Sequence, residues 1–356
     1  MERQLNRRDF LGGATAAMAV AAWPGRGWAA APLCRMGIAS TSFMGAEIGS
    51  GPGSARPAGP PRPRDTMAFL EKCAALGAGG IQAAINGDPV RVRARAEELG
   101  MYLEGMVGIP RNGDMTALDR GLADAKAAGV KVVRAAMLSG RRYETFASLA
   151  DWKKWVDEAH AALRLAMPII EKHKVVVALE NHKDWTLEDF LLLLKTWSSE
   201  YLQVCLDFGN NISLLDDPMA VIEGLAPYAQ STHIKDMAVQ PYQDGFLLSE
   251  VPLGDGLLDL PKIVSVILKA NPKARFSLEM ITRDPLKVPC MTPKYWEVFP
   301  DRNGRYLAQT LRLLRDHSSR TPLPTVSQLS PEQRAKVEEE NVKACIRYVN
   351  EKQLIP

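Results

Sequence analysis

From residue 35 to residue 281 short apolar segments alternate with longer amphipathic ones, and this alternation constrains the fold more than any other feature. The strand candidates are 35–43, 80–85, 102–108 and 131–137, then 174–180, 202–207, 231–237 and 275–281. Between them lie helical patterns at 65–76, 89–99, 115–128, 150–173, 186–197, 218–228 and 259–270, several opened by Asp or Thr and closed near Gly77, Gly100 or Gly129. Apolar strands that alternate with helices belong to a parallel sheet covered by those helices. Eight such units predict an α/β fold closed into a (β/α)8 TIM barrel. No GxGxxG follows the first strand and no GxxxxGK[ST] occurs, so the dinucleotide and phosphate-loop readings lose their main support. Hydrophobic residues at 46% and charged residues at 24% exclude disordered and multi-span membrane chains. Lys+Arg (44) nearly cancel Asp+Glu (41), and no basic field argues for nucleic acid or anionic lipid. The five cysteines form neither a disulfide framework nor CxxC pairs; Cys73 and Cys205 read as small buried hydrophobes.

Four segments lie outside the repeat. Residues 1–31 carry Arg7-Arg8-Asp9-Phe10-Leu11, an uncharged run from Gly12 to Ala22 and Ala29-Ala30-Ala31, the pattern of a twin-arginine export signal, which implies a periplasmic location and no membrane anchor in the mature form. Cleavage after Ala29 or Ala30 would remove four arginines and two acids and leave the chain nearly neutral. The barrel is assigned to 32–318. Residues 49–64, rich in Gly, Pro and Arg, form no helix or strand and are expected as a loop after the first strand. Residues 238–258 are expected as the loop after the seventh strand, and they contain Pro252-Leu253-Gly254-Asp255-Gly256. In the extension 319–356, Ser330-Pro331-Glu332-Gln333 has the cap, first-turn proline and third-position Gln of a helix start, predicting a helix to about 353 that packs on the barrel flank or forms a homo-oligomer contact.

The chemistry is concentrated at strand ends. The fifth strand ends in Glu180 and the sixth in Asp207; the seventh holds His233 near its end and the eighth holds Glu279. Side chains two apart share a face of a strand, so Val176, Ala178 and Glu180 point into the barrel together, as do Gln203, Cys205 and Asp207. The last residue of each series reaches the mouth, where barrel enzymes hold their active sites. Three carboxylates and an imidazole make an oxygen-rich metal site suited to Mn²⁺ or Mg²⁺, with Co²⁺ and Zn²⁺ as alternatives.

The blocks Glu180-Asn181-His182, Asp207-Phe208-Gly209-Asn210, His233-Ile234-Lys235-Asp236 and Leu278-Glu279-Met280 resemble the xylose isomerase-like barrel family of sugar isomerases, epimerases and inosose dehydratases, over about residues 33–318. The segment from Pro252 to Leu260 also resembles that family. The resemblance implies a small sugar or cyclitol substrate, a divalent metal held by Glu180, Asp207, His233 and Glu279, with Mn²⁺ first, and proton transfer by Glu180 and Glu279. The sequence departs from the ketose 3-epimerases, because Asn210 stands where those have a His and Thr186 where they have a substrate-binding Glu.

His182, Lys235, Asn210 and Trp185 are the expected substrate-binding residues, with Lys235 sharing the face of His233 and steadying an oxyanion, or else pairing with Asp236 at the surface. Phe43 and Trp296 are further stacking candidates. Glu104 and Arg134, on adjacent predicted strands, are expected to pair with each other, since an isolated buried charge is costly. The leading expectation is a metal-dependent isomerase or epimerase that abstracts a proton beside a carbonyl and passes through an enediolate. Alternatives are a lyase or dehydratase acting by β-elimination, and a non-catalytic sugar-binding barrel. An endonuclease on the same barrel would need a denser set of His ligands and a more basic chain.

Overall fold

The computed structural model describes residues 34–43 and 65–356. The expected export signal and the expected loop at 49–64 lie outside the described residues. Eight parallel strands close into a barrel: β1 (Gly37–Ala39), β2 (Gly80–Ala83), β3 (Tyr102–Met106), β4 (Val132–Ala135), β5 (Val176–Glu180), β6 (Leu202–Asp207), β7 (Ala229–Ile234) and, after two strands described below, β10 (Arg275–Leu278). Each was legible as an apolar run, and most are shorter than the run, because the chain leaves the sheet as it reaches the barrel rim. β1 yields to a 3-10 turn at Ser40–Phe43.

The helices are α1 (Thr66–Ala75), α2 (Pro89–Leu99), α3 (Thr116–Ala127), α4 (Arg142–Thr145), α5 (Leu149–His173), α6 (Leu187–Trp197), α7 (Pro218–Leu225), α8 (Leu260–Ala270), α9 (Pro293–Trp296), α10 (Gly304–His317) and α11 (Pro331–Lys352). Their starts follow local chemistry. Asp65, Asp88 and Asp217 accept first-turn amides of α1, α2 and α7, while Thr186 with Asp189 and Ser330 with Gln333 form reciprocal capping boxes on α6 and α11. α2 ends at Gly100 in the left-handed conformation that glycine adopts without penalty. All five cysteines are buried and free. No helix among the described residues is long and apolar enough to cross a membrane.

Two expectations are corrected here. Residues 238–258 are largely not a loop: β8 (Asp236–Tyr242) and β9 (Gly245–Val251) form an antiparallel hairpin, which β11 (Leu286–Val288) extends to three strands. The hairpin begins two residues after β7, so the apolar run 231–237 covers the end of one strand and the start of another.

Glu104 and Arg134 do not pair. The register sets Met106 beside Arg134, which leaves Glu104 one layer deeper in the barrel. There its Oε2 accepts Gln82 Nε2 (3.1 Å), Ser231 Oγ (2.7 Å) and Ser277 Oγ (3.2 Å). Arg134 instead donates from Nε to Glu180 Oε2 (2.6 Å).

Candidate metal centre and active site

Glu180 ends β5, Asp207 ends β6, His233 is the last residue but one of β7, and Glu279 follows β10 directly. Each reaches the C-terminal rim from a different parallel strand, and one ligand atom from each lies within 4.8 Å of the others. All four are buried. His233 Nδ1 is 3.5 Å from Glu180 Oε1, 3.8 Å from Asp207 Oδ2 and 3.4 Å from Glu279 Oε1.

The proton on His233 is set from below. Glu104 Oε2 takes its hydrogen bond from the amide nitrogen of Gln82, which also donates to Ser231 Oγ (3.0 Å) and therefore turns its oxygen toward the imidazole. His233 Nε2 donates to that oxygen at 2.6 Å. Nδ1 is buried, faces the three carboxylates and has no hydrogen-bond partner; burial alone would lower the imidazole, but Cys205, Glu279 and Glu180 outweigh it and hold it well above its usual range. Asp207 is oriented similarly: Oδ1 accepts the amides of Gly209 (2.9 Å) and Asn210 (2.8 Å), leaving Oδ2 turned to the cluster. A ring nitrogen without a hydrogen-bond partner among three carboxylates fits a divalent cation, which would take the place of the Nδ1 proton, and the oxygen-rich donors suit a hard one. Residues Glu180, Asp207, His233 and Glu279 could hold it.

Cationic and polar side chains surround this cluster. Arg134 engages Glu180 Oε2, while Asn210 Nδ2 donates to Oε1 (2.8 Å). Lys235 Nζ lies 2.7 Å from Asp207 Oδ2 and 2.5 Å from Glu279 Oε2, and Thr41 Oγ1 donates to Glu279 Oε1 (2.9 Å). Burial alone would raise both glutamates. Arg134 and His233 outweigh it at Glu180, His233 and Lys235 outweigh it at Glu279, and both lie well below the usual carboxylate range. At Asp207 burial prevails over Lys235 and the shift is upward.

The expected substrate residues take different positions. Lys235 shares the side of His233 and is fully buried in the cluster; the surface pairing with Asp236 does not occur, because Asp236 accepts backbone amides of Met237, Gly254, Gly256 and Leu258. Asn210 bridges Glu180 to Lys183 Nζ through its two amide atoms. His182 is half-buried, its Nδ1 has no partner, and burial followed by the Lys183 charge lowers its pKa to about 3, so it is a neutral imidazole.

Trp185 lies 5.4 Å from Trp152 and 5.1 Å from Trp155, ring to ring, and is 3% exposed, the environment of a packed aromatic rather than of a sugar platform. Phe43 packs edge-on against Phe69 under Lys72, and Trp296 donates Nε1 to the Cys290 carbonyl.

Sequence reasoning missed Gln82, Thr41 and Lys183. A polar Gln inside the apolar second strand was a readable signal, as was a Lys three residues beyond the Glu180 ligand; nothing singled out Thr41.

The xylose isomerase-like TIM barrel family matches residues 70–317. Among curated proteins, 3-oxo-isoapionate decarboxylase from Pectobacterium atrosepticum is 32% identical over 210 residues, which span 56% of this chain and 71% of that protein. Among solved structures, an L-ribulose 3-epimerase superposes with a TM-score of 0.50 at 16% identity, covering 88% of this chain and 96% of that one. A xylose isomerase-like TIM barrel protein from Mycobacterium smegmatis, in complex with magnesium, gives a TM-score of 0.46 at 16% identity over 78% of this chain and 98% of that one. At such identities the structural likeness concerns the fold alone.

Proposed function

Since the chain belongs to the xylose isomerase-like TIM barrel family, we propose that it is a divalent-metal-dependent enzyme that makes an enolate beside the carbonyl of a 3-oxo sugar acid by releasing carbon dioxide. The observation that carries this reading is the state of the two glutamates. A carboxylate takes a proton from carbon best with a lone pair that neither a hydrogen-bond donor nor a cation holds. Both oxygens of Glu180 accept from Arg134 and Asn210, both oxygens of Glu279 are engaged by Thr41 and Lys235, and a metal held on the lone pairs that remain would leave either group a weak base. Decarboxylation needs no such base. The bond between the carboxyl carbon and its neighbour breaks, its electron pair passes to the carbonyl oxygen, and a proton is later added where the carboxyl group stood. The similarity to a decarboxylase of a 3-oxo acid supports the same chemistry.

A divalent ion held by Glu180, Asp207, His233 and Glu279 would supply Lewis-acid stabilisation of the charge developing on the carbonyl oxygen. Lys235 Nζ, buried beside two of those carboxylates, is positioned to return the proton, an enolate carbon being more basic than an amine. Gln82 and Glu104 hold the imidazole of His233 with Nδ1 toward the cluster.

The test is a turnover experiment in heavy water with the Mn²⁺-loaded full chain and a series of 3-oxo sugar acids. The expected result is release of carbon dioxide, one deuterium on the carbon that lost it, and unreacted substrate without label. An isomer of conserved carbon count, with deuterium washed into the substrate pool, would instead establish the epimerase or isomerase expected from sequence and overturn decarboxylation.

A further inference from the structure

Arg134, Lys235 and Arg283 are each matched by carboxylates of the chain. Arg134 has Glu180, Lys235 has Asp207 and Glu279, and Arg283 is clasped by both oxygens of Glu250. Lys183 is the exception. It is 3% exposed, yet no carboxylate among the described residues lies within ion-pair distance of its Nζ, and its one side-chain hydrogen bond goes to the amide oxygen of Asn210. An ammonium carries three donors, and burying it without a counter-charge is unfavourable.

The strain on Lys183 is visible electrostatically: burial first, then the charges of Arg283 and Lys235, lower its pKa to about 8. The backbone offers no easy retreat, because the Lys183 carbonyl accepts the Arg142 amide at 2.8 Å and the next residue, Asp184, accepts the Trp185 amide at 2.9 Å. The placement is informative. Asn210 donates to Glu180 Oε1 through Nδ2 and accepts Lys183 through Oδ1, so a single carboxamide separates the unmatched ammonium from the metal-ligand cluster. A molecule that spans that carboxamide would touch both. A single ammonium beside a neutral amide matches a carboxylate better than a doubly charged phosphate, which calls for guanidinium forks or a helix N-terminus.

We infer that Lys183 receives the carboxylate of the substrate, an inference that rests on the reading of this site as one for sugar acids. It names the substrate class: a short polyhydroxy acid whose carboxylate reaches Lys183 while its carbonyl or hydroxyl groups face Glu180, Asp207, His233 and Glu279.

The experiment compares D-erythronate with erythritol, an acid and an uncharged polyol of equal chain length, by calorimetric titration of the Mn²⁺-loaded full chain. The acid is expected to bind at least about tenfold more tightly, the worth of one charge-assisted hydrogen bond. Lys183→Met should abolish that preference with Mn²⁺ affinity kept within about twofold, and Lys183→Arg should restore part of it. A wild-type protein that binds the two compounds equally, or binds neither, overturns the inference, and so does a Lys183→Met variant that keeps the preference; the wild-type comparison stands even if a variant fails to fold. Carbon dioxide release is read separately. A carboxylate preference without carbon dioxide leaves Lys183 assigned and defeats decarboxylation, whereas carbon dioxide release with no carboxylate preference does the reverse.

Discussion

At the scale of single residues, His233 depends on side chains that lie behind it, outside the four-residue cluster. Its imidazole turns Nδ1 to the carboxylates because Gln82 accepts at Nε2, and Gln82 does so because Glu104 and Ser231 occupy its amide nitrogen. Removing the acceptor should let the ring change tautomer or turn. Gln82→Leu is therefore expected to bind Mn²⁺ about 10- to 100-fold more weakly, the usual effect of losing a partner behind a metal-ligating His, with the far-ultraviolet circular dichroism unchanged. Titration of the variant with Mn²⁺ checks this, and wild-type affinity would show that packing alone orients His233. Of this network the sequence revealed His233 and the charge of Glu104. It did not reveal Gln82, because an uncharged amide within an apolar strand has no meaning until its neighbours across the barrel are known.

At the scale of elements, the β8–β9 hairpin accounts for the glycines of Pro252-Leu253-Gly254-Asp255-Gly256. Asp236, the first residue of β8, accepts the amides of Gly254 (3.0 Å), Gly256 (3.0 Å) and Leu258 (3.1 Å) as the chain returns from the hairpin to α8. A side chain at Gly256 would place its Cβ 2.1 Å from Asp236 Oδ1, and Gly254 has a positive φ of 93°. Asp236 thus ties both ends of the hairpin to the stretch that carries His233 and Lys235. Asp236→Ala leaves those buried amides unsatisfied and is expected to lower stability by about 2–4 kcal/mol in guanidinium unfolding. A variant with the wild-type midpoint would mean that water replaces the carboxylate. The motif was legible as a loop signal, but its partner lies 18 to 22 residues away along the chain and becomes its neighbour only when the hairpin folds back.

At the scale of the whole molecule, the C-terminal helix is part of the barrel's own packing. α11 buries Val342, Cys345, Ile346 and Val349, sets Tyr348 against Gly254, receives the Leu253 amide at Cys345 Sγ (3.4 Å) and donates from Asn341 to Thr282 Oγ1 (2.9 Å). It therefore fastens the segments after β9 and after β10, the latter carrying Arg283. Each buried apolar side chain of α11 contributes about 1.5–3 kcal/mol gross. A chain ending at Leu329 should melt about 10 °C lower in thermal unfolding and lose Mn²⁺ affinity with it. An unchanged melting temperature would mean that the barrel is complete without the helix.

The sequence by itself determined the barrel, the four acidic and imidazole side chains at its strand ends and the existence of α11, because these follow from local rules: alternation of strand and helix, period-2 facing within a strand, and a capping box. The tertiary structure decided which charges meet. Arg134 joins Glu180 and not Glu104 because strand register, invisible in either strand alone, sets the two acids in different layers of the barrel. Lys183 is left without a carboxylate, and Lys235 with two, because burial and direction at the rim depend on residues from β1 to β10 converging at one end of a closed sheet. Hydrophobic periodicity acts over a few residues and can be read along the chain. Electrostatic matching acts across space, and its outcome exists only after the chain has closed.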